Sequence, residues 1–182
     1  MANPDTPMGF VPFRHVRGGV IRTQTYPIAS AYNTNLLRGD AVILSSGKVN
    51  RAADDSATIL GSFYGCEYTA SDGSKVYSPY WPAGTVTLGS LDAVAHVYSD
   101  PGISFRVQTD TGTAFALANV GGSFDIELDH AGSTFTGQSG MELDISDTGT
   151  GQFTVLGLID EPDNAVGVNA MVEVVINLPQ TL

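Results

Sequence analysis

The sequence has a single cysteine, a single tryptophan and, beyond Arg106, no lysine or arginine. The lone Cys66 excludes an internal disulfide, so stability has to come from burial and strand pairing, as in a chain that folds in a reducing cytoplasm. No apolar run approaches the roughly 20 residues of a membrane helix. The opening MANPDTPMGFVPF lacks the basic and apolar regions of a secretory leader. Leu, Glu and Lys are too sparse for long helices. Catalytic signatures are missing as well: there is no Gly-x-Ser-x-Gly elbow, phosphate-binding loop or dinucleotide fingerprint. His15, His96 and His130 are scattered, without the His-x-His or His-Glu-x-x-His spacing of a zinc site. These absences predict a protein that is not an enzyme and carries no cofactor or metal.

What is abundant is turn chemistry. The chain has 182 residues with 21 glycines and 9 prolines, and Thr, Ser, Val and Asp fill the intervals, a composition suited to short strands joined by tight turns. Ala41-Val42-Ile43-Leu44, then Ser45-Ser46-Gly47, then Lys48-Val49-Asn50 is a hairpin signature. Gly61 and Gly65 inside TILGSFYGCEYT mark bulges or close backbone packing. AVAHVY (93–98), ISFRVQ (103–108), FDIEL (124–128), MELDI (141–145), QFTVLGLI (152–159) and MVEVVINL (171–178) read as further strands. FDIEL and MELDI alternate apolar with acidic residues, so one face of each is apolar and the other acidic. Residues 113–119 (TAFALAN) have helical spacing before Gly121-Gly122. About ten to twelve strands at turn spacings of about 8 to 12 residues predict an all-β fold, a compact barrel or sandwich of jelly-roll or β-tulip type. Pro4, Pro7 and Pro12 predict an extended N-terminal arm over residues 1–13, ahead of a single domain over 14–182.

Charge is unevenly placed. Up to Arg106 eight basic residues balance eight acidic ones, and beyond it lie eleven acidic residues and no basic one, so the whole net charge of -11 arises in the C-terminal part. The first 51 residues carry Arg14, Arg17, Arg22, Arg38, Lys48 and Arg51 against only Asp5 and Asp40. Phosphate repels so acidic a chain, which argues against nucleic acid as a partner.

Several short motifs invite functional readings that simpler chemistry explains. Arg38-Gly39-Asp40 spells an adhesion tripeptide but is also what a turn ahead of an apolar strand requires. Asp110-Thr111-Gly112 and Asp147-Thr148-Gly149 repeat the tripeptide of the aspartic proteases. Polar Thr109 and Ser146 precede those aspartates, where the proteases have apolar strand residues, so turns account for both. Asp160, Glu161, Asp163 and Asn164 offer oxygens suited to calcium, without the spacing of an EF-hand, and read as a solvated loop. Cys66, next to Glu67, reads as buried and structural. Tyr64, Tyr68, Tyr77, Tyr80 and Trp81 read as core and interface, or as a platform for stacking sugar rings.

Taken together, Asn3-Pro4-Asp5-Thr6-Pro7 with Gly9-Phe10, Arg14-His15, Gly18-Gly19, Gly39-Asp40, Ile59 through Thr69, Asp72-Gly73, Tyr80-Trp81-Pro82-Ala83, Val155-Leu156-Gly157-Leu158 and Asp160-Glu161-Pro162-Asp163-Asn164 resemble virion structural proteins of tailed bacteriophages. The likeness is to marine and cyanobacterial phage proteins of the kind that decorate and cement the capsid shell. The resemblance implies a protein of the virion surface, folded in the host cytoplasm, that binds the outer face of the major capsid protein and stabilises the shell. It implies a homo-oligomer, a trimer ahead of a dimer, with no membrane or nucleic-acid partner and no catalytic residue. The arm and the following segment to Tyr32 are then expected to lie along the shell or swap between subunits. Arg14, Arg17 and Arg22 would meet capsid carboxylates, and the acidic C-terminal part would face solvent. The alternative expectation is a glycan- or receptor-binding β module of a phage tail or other adhesin, using the aromatic stretch.

Overall fold

The computed structural model describes residues 3–180. Twelve strands form two antiparallel six-stranded sheets in a sandwich-like arrangement, as the turn spacing predicts. The first sheet contains β1 (Val11–His15), β8 (Ile103–Gln108), β9 (Ser123–Glu127), β10 (Glu142–Asp144), β11 (Phe153–Leu158) and β12 (Met171–Ile176), in the order β1-β8-β12-β11-β9-β10. The second contains β2 (Gln24–Ile28), β3 (Ala41–Ser45), β4 (Lys48–Arg51), β5 (Gly61–Thr69), β6 (Lys75–Ser78) and β7 (Ala93–Tyr98), ordered β2-β7-β5-β3-β4, with β6 alongside the C-terminal half of β5. The chain therefore builds the whole second sheet between the first strand of the first sheet and the rest of it.

Local chemistry explains the joints. Ser46 and Gly47 both have positive φ (52° and 76°), the conformation of the two-residue hairpin turn whose twist matches its strands. Gly61 lies so close to Tyr98 that a Cβ there would overlap the Tyr98 carbonyl oxygen. The β5–β7 register slips between Phe63 and Gly65, so both glycines do what their position in the sequence predicts.

Each sheet curls around apolar side chains of its own. Ile103, Phe105, Val107, Phe124, Ile126, Leu143, Phe153, Val155, Val172 and Val174 fill the first cluster, with Ala41, Ala52 and Ile59 joining from the second sheet's side. Ile28, Leu36, Val42, Val49, Leu60, Phe63, Trp81, Ala95 and Val97 fill the second. A parallel bridge from Thr109 to Leu143 ties β10 back to the end of β8, and β2 comes into contact with β4. Gln152 joins the layers. Its carboxamide oxygen accepts the Ile126 N–H, and its nitrogen reaches the carbonyls of Ala53, Asp54 and Ser56 at 2.9–3.0 Å.

Three expectations need correction. Residues 3–13 are not a free arm; Met1 and Ala2 of the expected arm lie outside the described residues. The Asn3 side chain donates to the carbonyls of Ala165 and Val168 and accepts the Ala165 N–H. Phe10 is 1 % exposed, and β1 crosses the expected boundary at residue 13 as an edge strand on β8 whose register slips between Pro12 and Arg14, an edge and a bulge both being places that tolerate proline. Prolines excluded the centre of the sheet, not its edge. Second, residues 113–119 form no helix beyond a single 3-10 turn at Leu117–Asn119, because the Phe115 backbone bonds to Gly167 instead. Third, the acidic C-terminal part does not all face solvent: Asp125 and Glu142 are buried. Alternation describes two faces, but here the loop 145–152 folds over one of them: Asp125 accepts Thr150 N–H, Thr150 Oγ1–H and Gln152 N–H.

Candidate functional sites

The three arginines singled out for docking lie on β1 and on the loop 16–23 that carries the chain from the edge of the first sheet to β2, an edge of the second. The structure separates them. Arg14 grips Glu173 with two bonds, Nε to Oε1 at 2.7 Å and Nη2 to Oε2 at 2.9 Å, the paired geometry for which guanidinium is suited. Glu173 lies on β12 and is nearly buried. Burial opposes its ionisation. Hydrogen bonds from Arg14 and Ser104 and the charge of Arg14 overcome that and hold the carboxyl below its ordinary pKa. Arg17 and Arg22 are exposed and form no ion pair among the described residues. Beside them Phe13, Val16 and Val20 are exposed, Val20 at 69 %. His15, Arg17, Gln24, Ser99, Asp100, Pro101 and Gly102 line a groove of about 510 Å³ there.

Charge polarity along the sequence is therefore only partly polarity in space. Arg14 meets Glu173 across β8, the strand between β1 and β12, and Arg106 on β8 meets Glu161 in the loop after β11. Three of the eleven C-terminal acids, Asp125, Glu142 and Glu173, are buried, so the acidic part does not simply face solvent.

The aromatic stretch divides. Trp81 is fully buried, its Nε1–H donates to the Tyr32 carbonyl at 3.0 Å, and Tyr68 meets its ring edge-on. Tyr64 and Tyr77 are exposed, Tyr77 at 73 %. With Arg38, Cys66, Pro79 and His96 they line a cleft of about 340 Å³, and the Arg38 guanidinium sits 4.8 Å from the Tyr64 ring centre. Cys66 lies buried at its floor, and burial pushes its thiol up to about 12.

The remaining motifs are structural. Asp110 and Asp147 each accept the N–H of the glycine two residues on, so both Asp-Thr-Gly tripeptides are turns. Asp40 accepts Leu37 N–H and Ser139 Oγ–H and lies 3.4 Å from Arg51 Nε; burial pushes its carboxyl up. In the acidic loop, Glu161 pairs with Arg106, and the Asn164 carboxamide is used by the Ile159 and Met171 backbones.

One constellation has no signature in the sequence. A donor atom each from Asp5, His130 and Glu142 lie within 4.8 Å of one another. Glu142 is 1 % exposed, its Oε2 lies 3.4 Å from His130 Nε2, and its Oε1 has no hydrogen-bond partner. Burial first, then the charges of Asp5, Asp110, Glu127 and Asp129, push its carboxyl up to about 8. Only its tertiary placement identifies it, since the three residues come from the N-terminal segment, a loop and β10. No protein-family model, curated protein or solved structure matches this chain, so its function has to be argued from these surfaces.

Proposed function

We propose that this chain is a structural protein of a phage virion that binds the outer surface of the capsid shell, its partner the major capsid protein, and stabilises the shell without catalysis. One observation carries the docking face: Arg17 and Arg22 stand exposed and, among the described residues, without ion pairs, close in sequence to exposed Phe13, Val16 and Val20, in the stretch that links an edge strand of one sheet to an edge strand of the other. A patch with an apolar centre and cationic rim suits a partner surface bearing carboxylates, with the charges steering encounter and register. Arg14 belongs to this face by position, but its guanidinium is committed to Glu173, so Arg17 and Arg22 carry the interaction. An edge strand with an unpaired backbone also offers a second copy a place to add, in keeping with a homo-oligomer, a trimer ahead of a dimer.

Adding the purified protein to empty expanded capsids and imaging them by electron microscopy tests this. The expected result is occupancy at fixed symmetry positions, falling by at least about tenfold in a R17E/R22E double variant and at raised salt. Absence of wild-type occupancy would remove the virion reading; undiminished occupancy by the double variant would remove this docking face. Deleting residues 1–13 is a poorer test, because it takes Phe10 out of the core.

A second reading, a glycan- or receptor-binding module of a phage tail or other adhesin, is favoured by the cleft between Tyr64 and Tyr77. Two exposed rings with Arg38 and His96 nearby offer stacking faces and hydrogen-bond donors for a sugar. A glycan array on which the wild type binds and Y77A does not would support it; a blank array would remove it.

A further inference from the structure

We propose that Asp5, His130 and Glu142 form a binding site for one divalent transition-metal ion of the Zn²⁺ type, which clasps the N-terminal segment to the first sheet. The inference rests on this cluster alone and stands apart from the virion reading.

The floor of the site is Glu142 on β10. Its side chain is buried, one oxygen has only a long contact to His130, and the other has no hydrogen-bond partner. A buried ionised carboxylate left this way is strongly unfavourable, so the position needs a cation or a proton. No basic side chain supplies one: among the described residues no Lys or Arg pairs with Asp5, Asp110, Glu127, Asp129 or Glu142. The register sets Glu127 directly across from Glu142, a like-charge pair that destabilises a ladder unless something neutralises it. Asp110 adds a second buried carboxylate oxygen, Oδ1, without a hydrogen bond.

The other two donors come from opposite directions, and one of them is held in place. Gln108, buried at the end of β8, accepts the Thr6 N–H at 2.9 Å and donates to the Pro4 carbonyl at 2.6 Å. It thus fixes the backbone on both sides of Asp5. Asn3 anchors the segment further out. His130 follows β9 in the loop that leads towards β10, its side chain 39 % exposed. With one buried and two solvent-facing donors, an ion has a route in.

The donor set fixes the class of ion. One imidazole nitrogen with two carboxylates suits Zn²⁺ or Mn²⁺, whereas Ca²⁺ and Mg²⁺ prefer oxygen alone. Zn²⁺ bonds of about 2.0–2.2 Å place tetrahedral ligands about 3.4 Å apart. Rotation of the exposed Asp5 and His130 side chains closes the remaining distance, and water completes the shell.

The test is to strip the full chain with a chelator, titrate it with ZnCl₂ by calorimetry, and follow thermal unfolding. One equivalent should bind, and Tm should rise by about 5 °C or more at a hundredfold excess over Kd. Asp5→Asn, His130→Gln and Glu142→Gln should each weaken binding at least about tenfold. Limited proteolysis should show the N-terminal segment protected by Zn²⁺ in the wild type but not in Asp5→Asn. Absence of saturable binding, tighter binding of CaCl₂ or MgCl₂ than of ZnCl₂, or Zn²⁺ affinity unchanged in Asp5→Asn would overturn the proposal. Asp5 is exposed, so that variant decides the matter even if Glu142→Gln fails to fold.

Discussion

The rings of Phe10 and Phe153 stack with centroids 4.2 Å apart and planes inclined by 13°, fastening the segment ahead of β1 to β11 in the interior of the first sheet. Phe10 is a core residue contributed by a stretch that is otherwise mostly proline and polar. Phe10→Ala should therefore destabilise the protein by about 3–5 kcal/mol, the range for truncating a buried aromatic side chain. Urea titration should show a lower midpoint at unchanged slope. A loss below about 1 kcal/mol would mean that the N-terminal segment is only loosely attached.

That contact also shows what the sequence can and cannot convey. Strand positions were legible because alternation, turn residues and β-branched side chains act locally. AVAHVY and ISFRVQ coincide with β7 and β8 to the residue. Phe10 was not legible, since three prolines within twelve residues describe the backbone and say nothing of a ring inserted across the sheet. Asp125 and Glu142 escape the pattern for the same reason: alternation names two faces and cannot show that the loop 145–152 bonds over Asp125 or that Asp5 and His130 come to lie against Glu142. Arg17 and Arg22 are open to inspection as unbalanced cations, whereas the capture of Arg14 by Glu173 depends on β1 and β12 flanking β8 on opposite sides. The Asp5, His130 and Glu142 cluster spans most of the chain and could be found only from the fold.

Asn164 holds the loop between β11 and β12 with three bonds, donating to the carbonyls of Ile159 and Met171 and accepting the Met171 N–H, all at 2.7–2.8 Å. Asn164→Ala should cost about 2–4 kcal/mol, because each lost bond is worth about 1 kcal/mol and backbone groups are left unpaired. Asn164→Asp keeps the acceptor and loses the donors, so it should fall between wild type and Ala in Tm. Calcium should not rescue either variant, since the carboxamide serves the backbone.

Cys66 should be inert in the folded protein. With its thiol pushed up to about 12 by burial, only about one molecule in ten thousand carries a thiolate at pH 8, and the sulfur donates to the Tyr80 carbonyl at 3.4 Å. A thiol-reactive dye at pH 8 should label one equivalent in urea and almost none in buffer. Rapid labelling of the native protein would mean that the cleft beside Tyr64 and Tyr77 opens to its floor.

The Arg14 and Glu173 pair separates stability from docking. Glu173 is held below its ordinary pKa in the folded state, so the stabilisation it lends is complete above about pH 4.5, its unfolded value. That stabilisation is lost as pH falls through the lower folded value, where the carboxylate takes up its proton. Arg14→Gln removes the guanidinium and leaves a nearly buried carboxylate with fewer donors. Its Tm should lie below that of wild type at pH 7, and the gap should close as pH falls towards 3. The variant should nevertheless keep most of its occupancy on capsids, because the Arg14 guanidinium is committed to Glu173 while Arg17 and Arg22 form no ion pair among the described residues. The R17E/R22E double variant should do the reverse, with a Tm near wild type at every pH and occupancy lost. If Arg14→Gln instead abolishes occupancy at full stability, Arg14 leaves Glu173 on docking, and the contact assigned to Arg17 and Arg22 belongs to all three arginines.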